Sequence, residues 1–267
     1  LSTQLTQLQN DLKADGWVVI RHDVASGTGA SAVRNLVIAD YNADPTNVKT
    51  VYIIGHVAVP ASGNIAPDGH TDQHQGAWGC DGYYGEVNGT WTDNTVNQVS
   101  SWTWVSNIPG DGKFDQDSPP NTVELGVGRV DFHDMPAFPS SETQLLANYL
   151  TKAHNFRVKG FTPQVRAIMR DHLEDLSTPS AGSGWISMPT AVGAANLTEV
   201  AYNSSSVLQD LVNGQSYLWT YGSGGGLIEN DNGVLVFYYT DKVMSTTGLV
   251  NSSWGGVFNM SFGSYTG

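Results

Sequence analysis

Two segments of this chain end in the kind of turn where side chains do chemistry. Leu218-Trp219-Thr220-Tyr221-Gly222-Ser223 and Phe258-Asn259-Met260-Ser261-Phe262-Gly263-Ser264 are apolar or aromatic runs that stop at small residues. In open α/β sheets, reacting groups sit just beyond strand ends of this type. The groups offered here are the Tyr221 phenol and the Ser264 hydroxyl. A phenol, with a pKa of about 10, is a poor base at neutral pH, and a serine hydroxyl without a base is a weak nucleophile. His172, in Arg170-Asp171-His172, follows another apolar run and could face the same crevice. Tyr221, Ser264 and His172 are therefore the candidate catalytic set. Tyr221-Gly-Ser223-Gly-Gly225 lacks the first glycine of a nucleophile elbow, and its glycines would start a helix badly, so it reads as a tight turn.

Other clusters offer metal or ligand chemistry. Asp68, His70, Asp72 and His74 put two imidazoles and two carboxylates in one loop, a set zinc accepts. Asp93, Asp111, Asp115 and Asp117 offer hard oxygens at a spacing that suits calcium. Both clusters also read as solvated turns. Trp78, Tyr83, Tyr84 and Trp91, with Trp102 and Trp104, could stack on a sugar or peptide, or could form a loop's own core. His56 follows a buried run and reads as a hydrogen-bonded structural histidine. The single cysteine, Cys80, excludes an internal disulfide and a multi-cysteine zinc site. Gly27-Thr-Gly-Ala-Ser-Ala32 matches a dinucleotide loop only superficially, because the next strand ends at Gly55-His56 and not at an acidic residue.

The elements that must position these residues alternate. A helix from Ser2 to about Ala14 carries Leu5, Leu8 and Leu12 on one face and ends at Gly16. Trp17 to Ile20 reads as a short buried strand. A second helix runs from Ala32 to about Tyr41, and Asp44-Pro45 stops it. Val51 to Ile54 is a strand apolar throughout, as for a parallel strand covered on both faces. A long irregular region covers 55–121, a length that is usually functional or carries hairpins of its own. Further strands are expected at Val123–Val130, Gln164–Met169, Leu197–Tyr202, Ser216–Tyr221, about Val234–Tyr238 and Val257–Ser261. Helices are expected from Ser140 or Ser141 to about Arg157, with Ser141 and Gln144 fitting a capping box, and from Ser204 to Val212. Alternation of this kind predicts an α/β fold with a mostly parallel sheet between helices, as one domain over 1–267.

Composition narrows the function. Asp and Glu number 25 against 12 Lys and Arg, a net charge of -13, which excludes a nucleic-acid-binding surface, since that needs clustered Lys and Arg, and disfavours docking on anionic lipid. No apolar run approaches the ~20 residues needed to cross a bilayer. A Lys-poor chain rich in Gly, Ser, Thr, Asn, Trp and Tyr reads as an extracellular bacterial protein, secreted or at the cell surface. No signal peptide is visible at Leu1, which fits a mature or excised piece.

Several segments, in order, resemble gingipain-type (C25-like) cysteine peptidases. Val51-Tyr-Ile-Ile-Gly-His-Val-Ala-Val-Pro60 resembles their central strand and its turn. Asp81-Gly-Tyr-Tyr-Gly-Glu86 with Asn88-Gly-Thr-Trp91 is similar to their aromatic-acidic loop, and Gly110-Asp-Gly-Lys-Phe-Asp115 to the acidic glycine turn after it. Glu124-Leu-Gly-Val-Gly-Arg129-Val resembles the strand that follows, and the helix from Ser141 the next element. The serial order covers about two-thirds of the chain. The resemblance implies a three-layer α/β/α caspase-like sandwich. It also implies a His-Gly pair ending one strand and a Cys ending the next. Tyr221-Gly222-Ser223 and Ser264-Tyr-Thr-Gly267 stand in those places. The expectation is a catalytically degenerate peptidase-like domain acting as a binding or structural module for a peptide, glycan or protein ligand. A helix normally follows the second turn in caspase-like domains, so a segment of a longer polypeptide is expected. The alternative is an active hydrolase using Ser264 or another nucleophile.

Overall fold

The computed structural model describes residues 1–66, 75–97, 103–173, 180–231, 234–240 and 242–263. Its contacts divide into two compact units. Leu1–Asp134 joins Ser141–Lys152 in the first, and Met135–Ser140 joins Ala153–Gly267 in the second.

The first unit contains α1 (Ser2–Ala14), α2 (Ala30–Ala43), β1 (Thr50–Ile54), β2 (Ala61–Ser62), β3 (Trp78–Gly79), α3 (Gly82–Gly85), β4 (Gly126–Val130) and most of α4 (Glu142–Arg157). β1 and β4 pair in parallel, from Thr50 opposite Gly126 to Ile54 opposite Val130. On one face Val33 of α2 packs with Ile53, Tyr83 and Tyr84, flanked by Val51 and Val127. On the other, Leu8 of α1 packs with Leu146 and Leu150 of α4, flanked by Leu5, Leu12, Ile54 and Val130. The leucine spacing of α1 thus does what an amphipathic stripe must do. Ser141 caps α4 by accepting the Gln144 N–H at 3.3 Å, but the Gln144 side chain donates to Asn148, so the expected capping box is half made.

Trp17–Ile20 is not a strand. Trp17, Val18 and Ile20 are 49, 91 and 55% exposed. Trp17 instead finishes α1. Its N–H donates to Leu12 O, the Gly16 N–H donates to Lys13 O, and Gly16 takes a φ of 96°. That is a Schellman C-cap, in which only glycine sits without strain at the left-handed position. β propensity in this run found no partner strand among the described residues. β1 is covered on both faces, but among the described residues it pairs with β4 alone, and Tyr52 is exposed.

The described parts of 55–121 have structure of their own: the antiparallel β2–β3 pair, the single turn α3, and a 3-10 turn at Thr103–Val105. Their anchor is the fully buried Glu86 carboxylate. It accepts the Trp91 indole N–H at 2.7 Å, the Asn88 N–H at 2.9 Å, the Gly89 N–H, and Arg34 Nη2 at 3.2 Å. The Arg34 guanidinium also donates to Glu86 O and Tyr83 O and lies 5.0 Å from the Tyr83 ring centre. A buried charge is tolerated only when paired and saturated with donors, as here.

The second unit contains β5 (Ala167–Asp171), α5 (Ser180–Val192), β6 (Leu197–Val200), α6 (Leu208–Val212), β7 (Tyr217–Ser223), β8 (Gly226–Asp231), β9 (Val234–Thr240), β10 (Met244–Ser245), α7 (Thr246–Asn251) and β11 (Gly256–Phe262). Its central sheet has the order β11-β7-β5-β6 and is parallel throughout. A separate antiparallel sheet, β10-β9-β8, lies between β7 and β11 in the chain. β5 is buried at every position. Its side chains alternate: Ile168 joins Leu208 and Val212 of α6, whereas Ala167 and Met169 join Met188 and Val192 of α5 with Tyr221. The expected α/β class with a mostly parallel sheet is thus present. β5 starts three residues later than the sequence suggested, and α6 four residues later. α5, β8, β10 and α7 were not anticipated, because glycine, serine and Pro189 disguise α5. Gly184 is needed there, since a Cβ would stand 2.8 Å from Met169 Sδ and 3.2 Å from the Tyr221 ring.

Glu86→Gln keeps the side chain's shape but removes its charge. It is expected to leave Arg34 without its counter-ion and lower stability by about 3 kcal/mol in urea unfolding. A loss under about 0.5 kcal/mol would show that the ion pair does not anchor the loop.

Candidate functional site

The strand order of the second unit fixes where a site can form. From β5 the chain crosses to β6 on one side, then returns to β7 on the other side, with β11 beyond it. In open α/β sheets such a reversal marks the usual ligand position, here at the carboxyl ends of β5 and β7. The parallel register sets Asp171, the last residue of β5, opposite Ser223, the last residue of β7. The Ser223 hydroxyl donates to Asp171 Oδ1 at 2.6 Å, and both residues are buried. Asp171 Oδ1 also accepts the Leu173 N–H at 2.9 Å. The Tyr221 phenol, two residues back on the same face of β7, feels both the Ser223 hydroxyl and the Asp171 charge. The three groups form a short polar relay of tyrosine, serine and aspartate at the carboxyl ends of β5 and β7.

Tyr221 is only 3% exposed and packs under α5 against Met169 and Met188. Burial pushes its phenol above the usual value, outweighing the opposing influence of the Ser223 hydroxyl, and the Asp171 charge pushes it the same way. It therefore stays protonated and can donate a proton-bearing hydrogen bond but cannot serve as a base near neutral pH. His172 directly follows the last residue of β5. Its backbone N–H donates to Ser223 O at 2.8 Å, and its ring stacks on Tyr202 with centres 5.1 Å apart. Ser264 lies outside the described residues. The strand leading to it, β11, is β7's neighbour, with Met260 opposite Tyr221 and Phe262 opposite Ser223. Sequence reasoning found Tyr221 and His172 but missed Asp171. The available signal was a carboxylate closing a strand that opens on the apolar run Ala167-Ile-Met169.

The first unit's expected sites fare differently. Tyr83 and Tyr84 are buried, and Tyr83 stacks on Phe114 at 4.4 Å and meets Trp91 edge-on at 5.2 Å. Tyr83, Tyr84 and Trp91 are thus the loop's own core and no open platform. Trp78 lies half-buried in the small β2–β3 pair. The four aspartates expected to hold calcium are not one cluster but four local braces. Asp93 accepts the Gly110 and Gly112 N–H groups, both at 2.8 Å. Asp111 accepts those of Ile108 and Lys113. Asp117 accepts those of Asn64 and Ile65. Asp115 accepts the Thr92 hydroxyl and the Asn94 and Thr95 N–H groups. Among the described residues no three His, Cys, Asp or Glu side chains gather as a metal centre would require. His70 and His74 lie outside the described residues. Cys80 has no histidine beside its sulfur among the described residues, and burial raises its thiol, so it is not an activated nucleophile.

The carboxyl edge of β1 and β4 holds a second histidine arrangement. His56 Nδ1 lies 2.9 Å from Asp131 Oδ2, and the His56 ring stacks on His133 at 3.7 Å. His133 in turn reaches Glu142 at 3.4 Å. His56 is therefore hydrogen-bonded, as expected, and it borders a pocket of about 160 Å³ with Thr28, Val57 and Ala58.

No family model, curated protein or solved structure matches the chain.

Ser223→Ala removes the relay's middle member and leaves the buried Asp171 carboxylate short of a donor. It is expected to destabilise the chain by 1–3 kcal/mol, roughly, against about 1 kcal/mol for Tyr221→Phe. Chemical unfolding of both variants checks the order, and equal or negligible losses would break the relay. Alkaline titration followed by tyrosine absorbance gives a second check. Burial pushes the Tyr84 phenol up to about 12. A folded value above the unfolded one means that this stability is full below about pH 10 and is lost as pH rises through about 12. Tyr84→Phe is expected to remove the last step of the titration, and a curve unchanged by it would refute the assignment.

Proposed function

We propose that this chain is a caspase-like, gingipain-like peptidase homologue with a degenerate catalytic site. Its work is that of a binding or structural module for a peptide, glycan or protein ligand, in a secreted or surface protein. The observation that carries the reading is the state of Tyr221. At the strand end where the resemblance calls for a histidine base stands a buried phenol, held protonated and tied to Ser223 and Asp171. Proton transfer from a thiol or hydroxyl needs a group that accepts a proton near neutral pH, and this one does not. Three further points support the reading. β7 and β11, whose ends correspond to the expected His and Cys positions, are adjacent parallel strands. The chain reverses direction across the sheet between β6 and β7, as a crevice-forming α/β sandwich requires. Helices α5 and α6 cover opposite faces of that sheet, in keeping with a three-layer arrangement. The acidic, Lys-poor composition supports an extracellular setting.

A second reading keeps one support. His172 sits at the same crevice edge, so a hydrolase using Ser264 as nucleophile and His172 as base remains the competing function.

A panel of fluorogenic peptides separates the two. The degenerate reading expects no turnover by the wild-type chain above buffer. Cleavage that disappears in Ser264→Ala and in His172→Ala would overturn it and install the hydrolase.

A further inference from the structure

Asn107 is fully buried, and its amide nitrogen faces more acceptors than it has protons to serve. Nδ2 lies 3.0 Å from Phe114 O, 3.4 Å from Asp115 Oδ1, and 3.5 Å from both Gly63 O and Asn64 Oδ1. An amide nitrogen carries two protons, so four acceptors converge on two donors. Three of the four distances are at the long end for a hydrogen bond. Meanwhile Asn107 Oδ1, also buried, finds no donor among the described residues. A buried acceptor without a partner is costly, and here the cost arises beside a surplus of acceptors.

A half-turn of the amide about its last bond aims Oδ1 into the same four oxygens. Five oxygens in one place repel each other unless a cation holds them. We propose that Gly63 O, Asn64 Oδ1, Asn107 Oδ1, Phe114 O and Asp115 Oδ1 form a calcium site. One carboxylate, two side-chain amide oxygens and two backbone carbonyls are the hard-oxygen mixture calcium takes, with water completing six to eight ligands in a loose geometry. Magnesium demands a compact octahedron and sheds water reluctantly, so this irregular set selects against it.

The surroundings hold the ligands in place before any ion arrives. Asn64 Nδ2 donates to Asp115 O at 2.7 Å, which turns Asn64 Oδ1 toward Asn107. The Asn107 backbone exchanges two hydrogen bonds of 2.8 Å with Asn97, fixing where its side chain begins. Asp115 is held in place by the Thr92 hydroxyl at 2.8 Å and by the Asn94 and Thr95 N–H groups at 2.8 and 3.0 Å. This set shares only Asp115 with the four aspartates that sequence spacing had grouped. Asparagine amides and main-chain carbonyls leave no spacing signature.

The site is tested by titrating calcium chloride calorimetrically into the EDTA-stripped chain, with thermal melts alongside. The wild-type chain is expected to bind one ion with a Kd on the order of 0.1–1 mM. The melting temperature should rise by roughly 3–5 °C at about 5 mM calcium. Asn107→Leu is expected to abolish both effects. Asn107→Asp adds a carboxylate to the oxygens, so it should melt lower than wild type in EDTA, bind calcium several-fold tighter, and gain a larger shift. If Asn107→Leu does not fold, the Asn107→Asp comparison decides alone. Absence of saturable heat and of a shift in wild type overturns the site. So does a full response in Asn107→Leu, an unchanged affinity in Asn107→Asp, or equal stabilisation by magnesium.

Discussion

The reading of the second unit depends on one hydrogen bond, from the Ser223 hydroxyl to the Asp171 carboxylate. The ladder between β5 and β7 makes these two residues partners at the last rung of both strands. Side chains on a strand alternate with a period of two, so a slip of one residue would send every β7 side chain to the other face. Tyr221 would then leave the α5 face for the α6 face. The Ser223–Asp171 contact therefore reports the same register that buries the phenol under Met188. The position of a strand end, the face of a tyrosine and the polarity of the crevice floor are one constraint seen three ways.

That constraint sets packing against catalysis. A catalytic base must reach its substrate and be free to take up a proton. Tyr221 is enclosed by Met169, Met188 and the Cα of Gly184, a closeness that no larger residue at 184 would allow. The helix above has given up helix propensity at Gly184, where a Cβ would stand 3.2 Å from the Tyr221 ring. A position shaped this closely around an aromatic ring is serving the core. The polar relay below it satisfies a buried phenol, hydroxyl and carboxylate, which is what a buried polar group requires whether or not it reacts.

How much of this was legible in the sequence follows from what pattern can encode. The amphipathic stripe Leu5-Leu8-Leu12, the apolar runs of β1, β5, β7 and β11, and the Ser141 cap are local signals, and they led to real elements. Trp17–Ile20 had the same local signal and failed, because a strand exists only with a partner. α5 failed in the opposite sense: its glycines argue against a helix, and only the closeness of Met169 and Tyr221 explains Gly184. At the site, Tyr221 and His172 were visible because they follow apolar runs. Asp171 gained its meaning only when β7 was laid beside β5. The acidic loop was misread for a similar reason. Sequence spacing brought Asp93, Asp111, Asp115 and Asp117 together, whereas each carboxylate found backbone N–H groups nearer than one another.

The use of those N–H groups follows from the composition. With 12 basic residues against 25 acidic ones, carboxylates in this chain outnumber cations two to one. The fully buried Glu86 has Arg34, and the half-buried Asp81 has both arms of Arg129, at 2.7 and 2.8 Å. Others lean on dipoles. Asp93, Asp111, Asp115 and Asp117 each accept two or more N–H or O–H donors within the same irregular stretch, and in doing so they tie its turns together. A long segment with little regular structure has many main-chain N–H groups that no ladder claims, and all of them need acceptors. An excess of carboxylates supplies those acceptors without lysines. The acidity of this region is therefore a means of folding a long insertion, and its surplus of oxygens around Asn107 is what that means leaves over.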